Sequence, residues 1–395
     1  MSDSADDLLR AAKACAKSGN HEESISLYRQ YVELRPRDPF GWSCLAYQLL
    51  ALRDGDGAIA ALREALRLKP DYASAHALYG FALERKGEVS AAIAEYRAAI
   101  EADLVNVHAF ENLARLHLGR GELKEAERVA REGRRSWPEA LEMRRALADI
   151  LVKRKRWREA SAEYEAIAAK CPDDHDVLVR LGWVRERAGD FQAARTNYER
   201  ALALRPEAPE TLVSLSGILR RLGKLDEAEA AARHAISLSP GYVTARVRLA
   251  SLLCRHWRSS RVEGYLQAAR SEIEEAMALA PDADAVLLTW ANIEWYAGNW
   301  ERSLELLEQG ARRRPELACY HGAIILRSLR QGMFGRAWKA RREFLRVPSG
   351  DRDWNFPWAG LQADAPRASA GESSSGLDSA AEIPDGDANA PGGPG

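Results

Sequence analysis

The stretch LGWVRERAGDFQAARTNYERALALRP, residues 181–206, decides the fold, because its chemistry recurs along the chain. It contains two segments in which apolar residues recur three and four positions apart, the period of an α-helix. Gly189 separates the segments, and glycine ends helices readily because it adopts a left-handed backbone conformation. Pro206 closes the stretch, where proline cannot continue a helix. The stretch therefore predicts a helical hairpin.

This hairpin is one copy of a 34-residue repeat, visible first as evenly spaced prolines. Leu104 stands where one further proline is due, and Pro281 comes seven residues late. The regularly spaced prolines are Pro36, Pro70, Pro138, Pro172, Pro206 and Pro240, with Pro315 again 34 residues after Pro281. Ten residues after each of these positions up to Pro281 stands a small residue: Ala46, Gly80, Ala114, Ala148, Gly182, Ser216, Ala250 and Ala291. Such columns predict hairpins that stack closely on their neighbours.

The repeat resembles the tetratricopeptide repeat (TPR), a helix–turn–helix unit of 34 residues. About ten units are predicted, beginning near residues 5, 39, 73, 107, 141, 175, 209, 243, 284 and 318. The resemblance implies an all-α fold, a right-handed superhelical solenoid over residues 1–348. It also implies a concave groove, lined by the first helix of each unit, that holds an extended peptide or a partner helix. The implied function is a non-enzymatic scaffold for protein–protein interaction.

Three segments depart from the regular pattern. The seven extra residues of the eighth unit fall in or near CRHWRSSRVEGYLQ, residues 254–267. They predict either a long basic contact loop or a lengthened helix pair with a basic rim. Residues 349–360 contain Trp354, Phe356 and Trp358, which either cap the last helix or dock a partner. Residues 361–395 are rich in Ala, Gly, Ser, Pro and acidic residues, and we predict that they are disordered.

A second, shorter resemblance lies near the carboxyl end. FGRAWKARREFLR (residues 334–346) followed by NFPWAG (residues 355–360) is similar to the junction between TPR arrays and the catalytic domain of bacterial glycosyltransferases. The similar residues are Trp338, Arg341, Arg342, Pro357, Trp358 and Gly360. This resemblance implies an alternative function, an accessory or substrate-presenting subunit of a separately encoded glycosyltransferase.

Composition narrows the function classes. The chain has 57 Lys and Arg against 58 Asp and Glu, so its net charge of −1 argues against nucleic-acid binding. Five scattered cysteines and the absence of a long apolar run predict a cytoplasmic protein without membrane insertion. The eight histidines show no metal-ligand spacing, and no nucleophile motif or phosphate loop occurs. We therefore expect no catalytic residues, no metal and no cofactor.

Candidate binding residues stand at the repeat positions that face the groove in TPR proteins. The sixth to eighth units place a basic and aromatic set there: Arg180, Trp183, Arg187, Arg220, Arg221 and Arg248. The second to fourth units contribute Tyr47, Phe81, Asn112 and Arg115. A groove that is apolar at one end and basic at the other predicts a directionally bound, acidic or aromatic peptide. The alternative is that the aromatic residues pack between helices and that the arginines pair with Asp176 or Glu210. Arg185 lies outside these positions and is expected to be solvated.

Overall fold

A computed structural model describes residues 2–103 and 106–344, apart from the side chains of residues 2, 3, 318 and 338. All regular secondary structure in this part of the chain is α-helical. The twenty helices are α1 Ser2–Lys17, α2 His21–Leu34, α3 Pro39–Ala51, α4 Gly55–Leu68, α5 Ala73–Arg85, α6 Val89–Ala102, α7 Val107–Gly119, α8 Leu123–Ser136, α9 Leu141–Lys153, α10 Trp157–Lys170, α11 His175–Ala188, α12 Phe191–Leu204, α13 Pro209–Arg221, α14 Leu225–Leu238, α15 Val243–Ser260, α16 Glu263–Leu279, α17 Asp284–Tyr296, α18 Trp300–Arg313, α19 Ala318–Arg330 and α20 Phe334–Phe344. From the second repeat onward, each first helix begins at the predicted residue, which confirms the repeat register.

The chain divides into two compact units, residues 1–289 and 290–395. In the first unit consecutive helices form antiparallel hairpins, from α1 with α2 to α15 with α16, and each hairpin packs on the next. Successive first helices also contact each other directly, as in α7 with α9 and α13 with α15. We call the surface formed by these first helices the first-helix surface. In the second unit, α18 packs on α19 and α19 on α20.

The small-residue column lets helices approach closely, as the sequence predicted. A Cβ atom added at Gly182 would lie 2.8 Å from the ring of Tyr198, and one added at Gly80 would lie 2.8 Å from the ring of Tyr96. Both tyrosines are fully buried. The alanines of the second helices are inaccessible to solvent: Ala58, Ala92, Ala126, Ala160, Ala194 and Ala228. Most of the repeated residues are therefore used for packing between helices.

The turn inside each hairpin requires a left-handed residue whether or not glycine is present. Gly189 has φ +86°, and the same backbone conformation occurs at Arg53 (φ 64°), Lys155 (φ 58°) and Arg261 (φ 59°), in three repeats that lack the glycine. A side chain in this conformation costs roughly 1–2 kcal/mol because its Cβ crowds the following carbonyl. The hairpin geometry, and not glycine alone, therefore fixes this position.

The extra residues of the eighth unit lengthen both of its helices. α15 extends to Ser260 and α16 begins at Glu263, so the predicted long contact loop is wrong and the lengthened helix pair is confirmed. Trp257 is buried by the longer α15, and the guanidinium of Arg261 lies 5.1 Å from the centroid of its ring. Added helical turns keep their backbone hydrogen bonds and bury apolar surface, whereas a loop of this length would do neither.

The predictions for the carboxyl end fall outside the described residues. These are the aromatic capping segment 349–360 with Trp354 and Trp358, the disordered tail 361–395, and most of the glycosyltransferase-like junction. They stay predictions.

Candidate partner-binding site

Four arginines from two neighbouring first helices gather around one glutamate. Arg220 and Arg221 lie at the end of α13, Arg248 and Arg255 lie on α15, and Glu186 lies on α11. Their charges act on one another: the positive charges of Arg248, Arg221 and Arg255 all act on Arg220, and the carboxylate of Glu186 acts on both Arg220 and Arg248. We call these four arginines the arginine cluster. The structure thus brings together three of the predicted site residues, and Arg255 joins them.

The arginine cluster has too few acceptors. The Nε atoms of Arg220 and Arg248 are buried and have no hydrogen-bond partner. The Glu186 carboxylate lies 3.8 Å from Nε of Arg221. Within residues 2–103 and 106–344, no ion pair joins the side chain of Arg220, Arg248 or Arg255 to an acid. A buried donor without an acceptor costs roughly 1–3 kcal/mol, and more when the group is charged.

Burial and the repulsion of neighbouring arginines lower the pKa of two members of the arginine cluster, Arg220 and Arg248. Burial, followed by the charge of Arg248, lowers the pKa of Arg220 to about 10. Burial is also the main cause that lowers the pKa of Arg248, and the charge of Arg221 adds to it. Arg220 still carries its charge at neutral pH, since its pKa lies well above 7. The four guanidinium groups and the one carboxylate of Glu186 together carry an excess of three formal positive charges.

Gly217 leaves room for the guanidinium of Arg248. A Cβ atom added at this glycine would lie 3.4 Å from Nη2 of Arg248, so the guanidinium lies close to the backbone of α13. Gly217 stands one helical turn before Arg220 and Arg221 on the same helix. The residue types alone do not show that the Arg248 side chain packs at this glycine.

Trp183 and Arg187 form a separate set of contacts on the neighbouring first helix. The exposed fraction of Trp183 is 42%, and its ring packs edge-to-face against Trp157 with centroids 5.7 Å apart. The guanidinium of Arg187 lies 5.2 Å from the centroid of the Trp157 ring. Trp157 and Arg187 also line a surface cavity. Trp157 begins α10, a second helix, so the repeat positions used for the sequence prediction did not include it.

Two of the predicted arginines are paired within the fold. Arg115 donates to both oxygens of Glu84 at 2.7 and 2.8 Å and also donates to Asn112 at 3.3 Å. Arg180 lies 3.6 Å from the carboxylate of Asp149. For these residues the alternative of internal pairing holds, although their acids differ from the predicted Asp176 and Glu210.

The expectation that Arg185 is solvated is wrong. Its Nη2 donates to Glu165 on the preceding second helix at 2.8 Å, and its side chain is mostly buried. The repeat position of Arg185 could not reveal this pair, because Glu165 belongs to the neighbouring repeat. Asp176, predicted as a partner for the groove arginines, lies 3.6 Å from Arg205 instead.

The predicted apolar residues lie on the first helices of the second and third repeats. Tyr47 on α3 is 58% exposed, and Phe40 on the same helix contacts the ammonium of Lys13 at 4.8 Å. Phe81 on α5 is half-buried, with the guanidinium of Arg85 5.9 Å from its ring centroid. The first-helix surface therefore carries apolar side chains in early repeats and the arginine cluster in late ones.

The described residues contain no cluster of three or more His, Cys, Asp or Glu side chains that could hold a metal ion. In the same part of the chain, no helix has the length and apolar character needed to cross a bilayer.

Comparison with known families decides the classification. A family model described as tetratricopeptide repeat matches residues 45–103, 111–175 and 179–243, and a second model with the same description matches residues 8–38. Together they cover more than half of the chain. The chain belongs to the tetratricopeptide repeat family. The TPR fold supports a role as a protein-interaction scaffold.

Solved TPR structures are similar to this chain in fold. A tetratricopeptide repeat protein from Parabacteroides merdae superposes with a TM-score of 0.50 at 15% identity, over 61% of this chain and 92% of that one. YrrB, described as a TPR protein with an unusual peptide-binding site, gives a TM-score of 0.43 at 17% identity over 47% of this chain and 95% of its own. PilF from Pseudomonas aeruginosa gives 0.43 at 19% identity, over 53% of this chain and 95% of PilF. No curated protein matches the chain.

Proposed function

We propose that this TPR protein is a non-enzymatic scaffold that binds an extended segment of a partner protein along its first-helix surface. The arginine cluster carries the proposal. The Nε atoms of Arg220 and Arg248 are buried there without acceptors, which costs folding free energy, while both residues are only half-buried. A bound partner that supplies anionic groups would offset the positive charge of these side chains. The same charges would attract an acidic segment before contact, because a positively charged surface steers negatively charged partners toward it.

The rest of the first-helix surface supports a partner that spans several repeats. Trp183 on α11 offers an exposed aromatic face beside Arg187, and Tyr47 on α3 offers another. Aromatic side chains supply a large contact area at a small cost in conformational entropy. With apolar contacts in early repeats and anion contacts in late ones, the partner segment would bind in one direction only.

A capture experiment tests the proposal. The variant with Trp183→Ala, Arg187→Ala and Arg220→Ala should recover far less partner from native cell extract, as measured by quantitative mass spectrometry. Its helical circular dichroism should remain close to that of the wild type. A matched control changes Arg97, Arg200 and Leu204, which lie on the second helices α6 and α12, to Ala and should recover the normal amount. Equal recovery by the first variant would contradict the proposal.

The identity of the captured protein tests the alternative function. A glycosyltransferase in the eluate would indicate the accessory or substrate-presenting subunit, and nuclease-sensitive recovery would indicate RNA. The cytoplasmic location stays a prediction, which fractionation of native cells would check.

A further inference from the structure

We infer that the arginine cluster binds a phosphate monoester carried by the partner segment, that is, a phosphorylated side chain. This inference rests on the proposed function, because it names the chemistry of the partner at one point of the first-helix surface. Three observations support it: the charge balance of the cluster, the origin of its arginines on two helices, and the way arginines are paired elsewhere in the chain.

The charge balance favours a doubly charged ligand. With Glu186 as the one acid acting on both Arg220 and Arg248, the cluster has an excess of three positive charges. A carboxylate side chain brings one negative charge. A phosphate monoester brings roughly 1.5 to 2 negative charges at neutral pH, together with three strong acceptor oxygens. The phosphate monoester therefore neutralises more of the excess from one position.

The arginines of the cluster come from two different helices. Arg220 ends α13, whereas Arg248 reaches from α15 to the backbone at Gly217. Each guanidinium is a planar fork that can donate two parallel hydrogen bonds to an oxyanion. A planar carboxylate, with two oxygens in one plane, is suited to one such fork. The tetrahedral oxygens of a phosphate can accept from forks that approach in different planes.

Arginines that face carboxylates elsewhere in this chain are paired within the fold. Arg115 binds both oxygens of Glu84, and Arg185 binds Glu165. An acid in this chain is thus sufficient to satisfy an arginine on the first-helix surface. In the arginine cluster the Glu186 carboxylate is placed 3.8 Å from Arg221 and leaves the buried Nε atoms of Arg220 and Arg248 without an acceptor. An external oxyanion would supply negative charge that the single carboxylate of Glu186 does not.

The test compares three pools of short synthetic peptides on the immobilised full chain. The pools have degenerate flanks and a fixed central phosphoserine, glutamate or serine. We expect retention of the phosphoserine pool to exceed that of the glutamate pool by about tenfold or more, since the extra charge and acceptors act in a partly buried site. Inorganic phosphate at matched ionic strength should compete, but much more weakly than the phosphoserine pool.

Two variants with opposite expected effects on retention distinguish a change in binding from a loss of folding. Arg248→Gln should reduce retention of the phosphoserine pool to the level of the serine pool. Glu186→Gln should increase it, because it removes the acid that competes for the cluster. Arg200→Gln on α12 is the matched control and should change nothing. A gain in Glu186→Gln cannot arise from misfolding.

Several outcomes would overturn the inference. Equal retention of the glutamate and phosphoserine pools would mean that the cluster binds any acidic side chain without preference for phosphate. Unchanged retention in Arg248→Gln would place the phosphate elsewhere, and competition by inorganic phosphate as strong as by the peptide would make the free ion the ligand. In each case the capture experiment still decides the proposed function separately, because it detects a partner from native extract whether or not that partner is phosphorylated.

Discussion

The first unit contains two groups of arginines, and each group has its own glutamate. The groups differ in whether that glutamate accepts hydrogen bonds from the arginines. Glu127 on α8 is 6% exposed and accepts hydrogen bonds from Arg131 and Arg156 at 2.7 Å each, and from Arg154. Arg131 and Arg156 also donate to Glu159. We call this group the Glu127 cluster. Its members come from two adjacent repeats, so it links those repeats by fully paired charges.

The arginine cluster has similar composition and the opposite pairing. Glu186 approaches Arg221 at 3.8 Å, and the buried Nε atoms of Arg220 and Arg248 have no acceptor. Buried charges stabilise a fold only when geometry and hydrogen bonds compensate for the lost hydration. The comparison indicates that the Glu127 cluster serves the fold, and it favours the arginine cluster as the binding site that we propose.

The largest expected effect is the loss of the acid at the centre of the Glu127 cluster. Glu127→Gln leaves three arginines without their shared carboxylate and should lower the free energy of unfolding by about 3 kcal/mol, the usual cost of breaking a buried pair. Glu186→Gln should lower it by less than about 1 kcal/mol, since that carboxylate pairs weakly. Urea unfolding followed by circular dichroism measures both. Equal losses would remove the distinction between the two clusters.

Acidic pH should remove the stabilisation of the fold that Glu127 contributes. Burial raises the pKa of this carboxyl, but its hydrogen bonds and charges with Arg131, Arg156 and Arg154 outweigh burial and bring the pKa below its ordinary value of 4.5. A lowered pKa means that the stabilisation is present above the ordinary value and is lost as the pH falls through the pKa of the folded protein. The unfolding temperatures of wild type and Glu127→Gln should therefore become equal when the pH falls below the pKa of Glu127 in the folded protein. A difference that persists in acid would contradict the assignment.

A smaller effect separates two glycines of the first helices. Gly182→Ala places a Cβ 2.8 Å from the buried Tyr198 ring and should destabilise the protein by roughly 1–3 kcal/mol through overpacking. Gly217→Ala places its Cβ 3.4 Å from the end of the Arg248 side chain and should be neutral or stabilising by up to about 1 kcal/mol, the helix propensity of Ala over Gly. Differential scanning calorimetry distinguishes the two. A larger loss at Gly217 would mean that this glycine also serves packing.

The smallest effect has the opposite sign. Arg248→Met keeps the volume of the side chain and removes a buried charge that burial and Arg221 already disfavour, so the unfolding temperature should rise slightly. Arg154→Met in the Glu127 cluster should lower it. A thermal scan of both variants checks the prediction. A fall for Arg248→Met would show that its charge contributes to the fold.

Much of the fold could be predicted because repeated packing needs leave repeated residues. The small-residue column, represented by Gly182 against Tyr198, set the register, and the first helices begin where this register predicts. Arg53 and Lys155 could not be recognised as left-handed turn residues, because their type does not favour that conformation. The sequence did not decide between a lengthened α15 and a long loop, since the same residues suit both.

The candidate site could be predicted only in part. Repeat positions indicated Arg220, Arg221 and Arg248, but not that the Nε atoms of Arg220 and Arg248 are buried without an acceptor. Partners from second helices were missed: Trp157 beside Trp183, and Glu165 beside Arg185. Pairing between repeats depends on distances between helices, which a column of residue types does not contain.

Site-specific photo-crosslinking tests the central claim most directly. A photoreactive amino acid is placed at Ser214 on α13 and at Ser251 on α15, each three residues from a member of the site, Gly217 or Arg248. Exposed Thr196 and Ala230 on the second helices α12 and α14 are the matched positions. We predict that one partner protein is crosslinked at Ser214 and Ser251, and that Arg248→Gln abolishes these adducts. Adducts of equal yield at Thr196 and Ala230, or adducts that survive Arg248→Gln, would contradict the account.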